Sequence, residues 1–513
     1  MDKKESKKNQ AMESFLTSNL VEEDQVQKFS DEYTIINKYP LLPPFSYATI
    51  LYNEAKADVV YHVSELKLTQ IEQKICENLN ALIEESLEST EIISSTSNFD
   101  SFLDNIIKKH EKMFSSNSFS SLQKVKYYLS RDIAGFGLID PLMHDVNIED
   151  VSCSGVGEPI YIWHRNFDSI KTNIKFDTHE NLNSFVSRIV FRSGKHISSA
   201  HPITDLALKG GHRLSVLYQK EVTPKGTSFT IRKFREDPYS IIDLINFGTL
   251  DVQIVAYIWM LIESKSSFVI IGSTGSGKTT ILNACAGLMN PDYKIFTVED
   301  VAEINITHKN WFSLVSRTGF GSKGEGDISL FELVKAGMRH RPDYIVIGEI
   351  RGSEAYVLFQ AMATGHGGIS TIHADSVESA IKRLQQKPME IPASYIPLIN
   401  CAVVIKRIKD RSTNRTTRKA VMVSEISNDK IFNHVFQWNP KSDNFDGDLS
   451  QSLLFKKIAD STGQELNNIL EEYQKRKMVI QWMVENNVHT YVKVAEVVGK
   501  YYRDSHALMQ TIS

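Results

Sequence analysis

The sequence predicts an α/β protein: a core carrying a phosphate-binding glycine loop, preceded by an α+β domain and an N-terminal helical unit, and followed by a C-terminal helical segment. Three observations carry this. The stretch "VIIGSTGSGKTTI" at residues 269–281 fits the pattern G-x-x-x-x-G-K-[ST] from Gly272 to Thr279. The run before it, "SSFVIIG", reads as a buried strand, and "KTTILNACAGLM" after it places Ile281, Ala284, Cys285 and Leu288 on one helical face. Two later apolar runs, "FTVEDVAEI" and "DYIVIGEIRG", read as further strands leading into acidic residues.

The other elements follow in chain order. Residues 1–30 are polar and charged, a flexible tail by composition. Residues 31–120 are expected to form the helical unit. Within it, "ELKLTQIEQKICENLNALIEESLES" spaces Leu68, Ile71, Ile75, Leu79, Leu82 and Leu87 as an amphipathic helix. Two Ser/Asn-rich stretches, "SSTSN" and "SSNSFSS", read as loops around a further helical segment. Residues 121–236 change texture to short β-like runs punctuated by Gly and Pro, including two strands around the Pro-Lys-Gly turn of "RLSVLYQKEVTPKGTSFTIRKF". "REDPYS" then reads as a hinge, because Asp-Pro disfavours helix at its first residue. The nucleotide-binding core is expected over 237–425. The helical extension over 426–513 has Leu454, Ile458, Leu466, Leu470 and Tyr473 at helical spacing.

Composition narrows the function classes. The chain has 513 residues, 42% hydrophobic and 23% charged, with net charge −4, which provides no global field for nucleic acid. No apolar run approaches the ~18 residues that span a bilayer. The basic start "MDKKESKKNQ" has no hydrophobic region behind it, so a secretory signal is not expected and a cytoplasmic location is. Cys76, Cys153, Cys285 and Cys401 are scattered, which excludes a local zinc knuckle and suits a reducing compartment.

The chemistry concentrates in four segments. A glycine loop at a helix start directs backbone N–H groups at an anion. The candidate nucleotide contacts are therefore Gly272, Ser273, Thr274, Gly275, Ser276, Gly277, Lys278, Thr279 and Thr280. Lys278 is placed to reach the β/γ-phosphates of a triphosphate such as ATP, and the Thr279 hydroxyl to ligate Mg²⁺. Glu349 ends an apolar strand, where a single acid suits orienting or deprotonating the attacking water. The residue before it is Gly348, not the aspartate that commonly holds Mg²⁺ there. Glu299, Asp300 and Glu303 form an acidic cluster that would repel a triphosphate unless it serves Mg²⁺ or water. "TGHGGISTIHA" supplies His366 and His373, one of them a candidate γ-phosphate sensor. The loop alone leaves kinases, GTPases, transporters and motors open.

The ordered combination of glycine loop, "TVEDVAE", "RHRPDYIVIGEIRG" and "ATGHGGISTIHA" resembles the secretion-ATPase superfamily of type II and type IV secretion, type IV pili and archaeal surface filaments. The resemblance extends upstream through "FGLIDPLMHDVNIEDVSCSGVGEPIYIWHR" and downstream to the closing helices. It covers roughly residues 120–505 and is nearest to the ATPases that assemble and drive the archaellum of Sulfolobus-type archaea. It implies a RecA-like core, a homo-hexamer, and ATP with Mg²⁺. It implies that Glu299, Asp300 and Glu303 help position the metal and water, that Glu349 is the catalytic glutamate, with Glu303 as the other candidate base, and that His366 and His373 form a histidine box. It also implies that Arg213 and Arg232 reach nucleotide from the N-terminal domain. The implied partners are a polytopic membrane platform protein and an accessory RecA-like cytosolic protein, with peripheral membrane association and no nucleic acid. Anionic lipid contact through Lys3, Lys4, Lys7 and Lys8 stands against the plainer reading of a solvated tail. Bacterial members often carry a tetracysteine module to which nothing here corresponds. A nucleotide-gated scaffold and a pilus or secretion ATPase are the alternatives. The scaffold has no use for a water-activating acid.

Overall fold

The structure is a computed structural model that describes residues 32–86, 96–110, 118–208, 210–220, 222–235, 237–317, 326–409, 416–427 and 432–512. The expected tail, its lysines and Leu87 lie outside the described residues. The chain divides into two compact units, Met1–Phe234 and Arg235–Ser513.

The first unit is built on nine strands: β1 (Tyr33–Leu42), β2 (Ser46–Asn53), β3 (Asp58–Glu65), β4 (Ile148–Cys153), β5 (Pro159–His164), β6 (Asp168–Lys175), β7 (Ile203–Ala207), β8 (Arg213–Leu217) and β9 (Ser228–Arg232). They form one sheet in the order β1-β2-β3-β6-β5-β4-β9-β8-β7. Only β3 and β6 pair in parallel; the other neighbours are antiparallel. Three helices, α1 (Gln70–Ser86), α2 (Thr96–Lys109) and α3 (Phe119–Leu129), leave the sheet and close around a core of their own. Ile75, Leu79 and Ile83 of α1 meet Phe99, Leu103 and Ile106 of α2 and Val125 and Leu129 of α3. A short helix α4 (Asp140–His144) returns the chain to the sheet. Helix α5 (His179–Arg192) then packs Leu182, Phe185, Val186, Ile189 and Val190 against it.

Two expectations are corrected here. Residues 33–65 are strands, so the region expected to be a helical unit is only partly helical. "SYATILYN" lies between β1 and β3 in the sheet and is buried on both faces, so its continuous apolar run belongs to an inserted strand. Ile71, expected on the buried face of α1, is 70% exposed because the buried row steps through 75, 79 and 83.

A buried polar network around Asp145 links β1 and β3 to the segment that follows β9. Asp145 accepts hydrogen bonds from the Tyr39 and Tyr61 hydroxyls, both at 2.6 Å. Lys233 donates to the Leu142 carbonyl at 3.1 Å. Nδ1 of His212 accepts the Phe234 N–H at 2.9 Å, which requires an unprotonated nitrogen there. Burial pushes the His212 imidazole down to about 4 from its ordinary 6.5, with Lys233 and then His144 adding to the effect. The folded protein thus binds fewer protons than the unfolded chain between those values. This residue's contribution to stability is complete above pH 6.5 and is lost as pH falls toward 4. We expect this residue's contribution to the unfolding free energy, read from urea unfolding of the full chain, to fall across that window at up to about 1.4 kcal/mol per pH unit. The His212→Gln variant, which keeps an acceptor for Phe234 and cannot charge, should flatten the slope. An unaltered slope in the variant would assign the acid sensitivity elsewhere.

The second unit opens with α6 (Ile241–Asn246) and α7 (Val252–Glu263), then β10 (Phe268–Ile271), α8 (Lys278–Ala286), β11 (Ile295–Glu299), β12 (Trp311–Val315), α9 (Leu330–Met338), β13 (Tyr344–Ile347), α10 (Glu354–Ala363), β14 (Gly367–Ile372) and α11 (Val377–Gln385). It continues with β15 (Cys401–Lys409), β16 (Thr416–Ile426), β17 (Phe432–Asn439) and β18 (Asn444–Gly447), and closes with α12 (Leu453–Thr462), α13 (Leu466–Glu485), α14 (Tyr491–Arg503) and α15 (Ser505–Ile512). The sheet order is β12-β11-β13-β14-β10-β15-β16-β17-β18. The strands from β12 to β15 run parallel and the last three add antiparallel.

Strands β10, β11, β13 and β14 are buried at every position, as a parallel sheet with both faces covered requires. Alternation divides them between two cores. Phe268 and Ile270 face α7 and the C-terminal helices, whereas Val269 and Ile271 face the side of α10 and α11. Glu425, fully buried at the end of β16, ties the closing helices to this body. It accepts hydrogen bonds from the Tyr257 and Ser452 hydroxyls and from the Leu453 N–H at the start of α12. The expected helical extension over 426–513 is therefore helical only from Leu453 onward, since β17 and β18 still belong to the core sheet.

Candidate functional site

The four segments singled out in the sequence converge because their strands are parallel neighbours. The order β11-β13-β14-β10 brings the carboxyl ends carrying Glu299, Glu349, His373 and the glycine loop side by side. The next strand after β14, β15, crosses to the far side of β10. Crevices at such reversals of strand order are where α/β sheets hold ligands.

Glycine is required at several points of the loop. Gly275 and Gly277 adopt φ of 72° and 94°, which disfavours any side chain. A Cβ on Gly272 would collide with the Ser276 hydroxyl and the Ile405 carbonyl. The loop runs directly into α8, whose first residues are Lys278, Thr279 and Thr280. Lys278 is 9% exposed and donates to the Ser273 carbonyl at 3.0 Å. Burial holds its ammonium below the usual lysine value, while Glu349 and Glu303 oppose that shift. The Ser276 hydroxyl is buried with no hydrogen-bond partner among the described residues. A helix N-terminus, a glycine cradle and a buried ammonium fit a phosphate chain.

The acids surround this cradle. Arg351 joins two of them, at 2.6 Å from Glu349 and 3.9 Å from Asp300. Asp300 also accepts the Ser316 hydroxyl at 3.2 Å. Glu299 is 3% exposed and its Oε1 accepts the N–H groups of Glu303 and Ile304, each at 3.0 Å. Those bonds shape the turn that brings Glu303 toward Lys278. Glu299 Oε2 is buried without a partner among the described residues, and burial pushes its carboxyl up to about 7. Glu299 also explains Gly348. A Cβ at that position would lie 3.2 Å from Glu299 Cγ, so the volume an aspartate would need before Glu349 is occupied by the Glu299 carboxylate. Among the described residues no three His, Cys, Asp or Glu side chains form a ready-made metal cage. Mg²⁺ would therefore need phosphate and water oxygens beside Thr279 and these acids.

The two histidines part company. His373 follows β14 and lies 3.4 Å from the Thr274 hydroxyl across the loop, its carbonyl held by Arg383. His366 precedes β14 and is bound to the Ala361 carbonyl and the Thr364 hydroxyl at the end of α10. Six strand residues separate them, about 20 Å at roughly 3.3 Å each. His366 is therefore corrected: it sits at the opposite edge of the sheet from the glycine loop. Arg213 and Arg232 belong to the first unit, where they begin β8 and end β9 and face each other across the ladder. Arg232 also pairs with Asp150 at 3.3 Å.

Sequence reasoning passed over three cations that the second unit supplies. Arg351 stood in the quoted "GEIRG" run and was readable there. Arg407 and Arg418 were not readable, because only the register of β15 and β16 sets them opposite each other and against the loop.

The chain is similar in sequence to known proteins. A model of the family described as type II/IV secretion system protein matches residues 138–442. An uncharacterized protein of Methanocaldococcus jannaschii is 35% identical over 388 residues, spanning 74% of this chain and 70% of that protein. The type IV secretion system protein PtlH of Bordetella pertussis is 28% identical over 45% of this chain and 75% of its own length. Among solved structures, the Legionella pneumophila ATPase DotB is 16% identical over 71% of this chain and 91% of that chain, with a TM-score of 0.40. The chain belongs to the type II/IV secretion system protein family.

Proposed function

We propose that this protein is a hexameric, Mg²⁺-dependent ATP hydrolase that drives assembly and rotation of the archaellum, an archaeal filament of the type IV pilus kind. The observation that carries the hydrolase reading is the convergence of the glycine loop, Lys278, Glu349 and His373 at the carboxyl ends of adjacent parallel strands. The archaellum reading rests on the motif resemblance.

In this reading the loop amides from Gly272 to Thr280 and the Lys278 ammonium hold the phosphate chain. Mg²⁺, when bound, neutralises charge on the terminal phosphates. Thr279 and, through water, Asp300 and Glu303 would hold it, while Glu299 fixes the turn that carries them. Glu349 takes the proton of the attacking water, and His373 reports on the γ-phosphate beside Thr274. Among the described residues no helix is long and apolar enough to cross a membrane. Force thus passes to a polytopic platform protein from the cytoplasmic face, with an accessory RecA-like protein and anionic lipid as further contacts. The second reading is a nucleotide-gated scaffold, and another archaeal pilus system is the alternative within the motor class.

Lys278→Ala is the test. It removes the only loop side chain that is a cation, and hydrogen bonds to a charged group are worth about 1.5–3 kcal/mol. Nucleotide affinity should fall by about tenfold or more, Mg²⁺-dependent turnover should be abolished, and cells carrying the variant as their sole copy should lack archaella. Intact filaments on a hydrolysis-dead protein would favour the scaffold. Loss of pili with archaella retained would move the protein to the other system.

A further inference from the structure

The register of β15 and β16 sets Arg407 directly opposite Arg418 and Lys406 directly opposite Lys419. Like charges facing each other across an antiparallel ladder are destabilising. The second pair has an evident solution, because Lys419 is buried on its own side and bound to Asp443 at 2.7 Å. Alternation turns the first pair to the opposite face, where the glycine loop lies. Arg418 Nε donates to the Gly275 carbonyl at 3.1 Å. A Cβ on Gly277 would lie 3.3 Å from Arg418 Cδ, and one on Gly275 would lie 3.7 Å from Arg407 Nη1. The wall of the loop on this side is therefore made by two guanidinium-bearing side chains.

The hydrogen bond to Gly275 has a consequence fixed by peptide geometry. The Gly275 carbonyl and the Ser276 N–H belong to one planar trans peptide and point in opposite directions. The Ser276 N–H on the other side of that peptide donates to the Ser273 carbonyl at 3.3 Å, so the turn and Arg418 hold the peptide from its two sides. Gly275 has φ of 72°, and glycine itself offers little resistance to rotation of the peptide. The Arg418 donor therefore adds a restraint from outside the loop.

Resting on the nucleotide reading of this site, we infer that Arg418 is a positioning residue that holds the Gly275–Ser276 peptide of the glycine loop in place, and that Arg407 beside it supplies charge to the ligand of that loop, the diphosphate shared by ADP and ATP. Both residues thus act on binding of either nucleotide, in contrast to Glu349, which acts on turnover alone.

The experiment titrates ADP and ATP against the full chain and its Arg418→Met, Arg418→Lys, Arg407→Met and Lys278→Ala variants, with thermal unfolding of each recorded without nucleotide. Arg418→Met keeps length and packing but has no donor. It should weaken ADP and ATP equally, by about tenfold, the scale of one charged hydrogen bond. Arg418→Lys restores a donor within reach of the carbonyl and should bring affinity back to within about threefold, which a purely packing role would not do. Arg407→Met should weaken both nucleotides without lowering the unfolding midpoint. ADP affinity unaltered in Arg418→Met and Arg407→Met, while Lys278→Ala weakens it, would overturn this inference and leave the nucleotide site standing. Failure of the unaltered protein to bind either nucleotide would instead remove the reading on which it rests. Should Arg418→Met not fold, the Lys and Arg407→Met variants decide, because neither removes the Gly275 hydrogen bond.

Discussion

Changing Glu349 to glutamine should leave nucleotide affinity close to that of the unaltered protein and lower turnover by about 100-fold or more, the usual scale for a general base. The side chain sits just past the end of β13, with Oε2 at 2.6 Å from Arg351. Glutamine keeps the volume and an oxygen for Arg351 but cannot take a proton from water. The Arg351 contact adds a second expectation. One carboxylate oxygen is engaged by a guanidinium, so water must be met by Oε1, or Arg351 must turn toward phosphate first. Steady-state rates and ADP titration on Glu349→Gln separate base from binding. Full turnover in this variant would move the base to Glu303, which the Glu299 hydrogen bonds hold in the same neighbourhood.

The loop and strand ends were legible because their signals are local. Gly272, Gly275 and Gly277 are needed by backbone geometry within a few residues, and buried parallel strands announce themselves as apolar runs. Gly348 was visible as a departure, but its reason was not, because the neighbour that fills the space, Glu299, comes from a strand 49 residues earlier. His366 and His373 looked equivalent in a short motif. A strand of six residues between them sends one to each edge of the sheet. The strands from 33 to 65 escaped notice because burial of β2 depends on partners, and β3 pairs in parallel with β6 more than 100 residues away. Arg407 and Arg418 become neighbours through a ladder that carries a register shift at Val404/Ile405, which spacing in the sequence does not reveal.

Arg213→Ala and Arg232→Ala should each lower turnover by about 1,000-fold, the scale on which an inserted guanidinium offsets charge spreading over the equatorial oxygens in phosphoryl transfer. Arg351 already supplies a cation beside Glu349 within the second unit, so the case for the first unit rests on the arginine pair itself and on the family resemblance. Arg213 and Arg232 face each other across β8 and β9, and Arg232 also pairs with Asp150 at 3.3 Å. The division between the two units falls at the "REDPYS" stretch. Were a cation carried by one unit needed by the other, it would be favourable only in a closed state, and hydrolysis would be coupled to domain rotation. Mixtures of variants decide where the arginines act. If they complete a neighbouring subunit's site, Arg232→Ala subunits mixed with Lys278→Ala subunits should regain hydrolysis, because some interfaces then hold an intact loop and an intact arginine. If they act within their own subunit, every mixture stays inactive. Turnover unchanged in both single variants would remove the first unit from the chemistry and leave Arg351 as the arginine that meets the γ-phosphate.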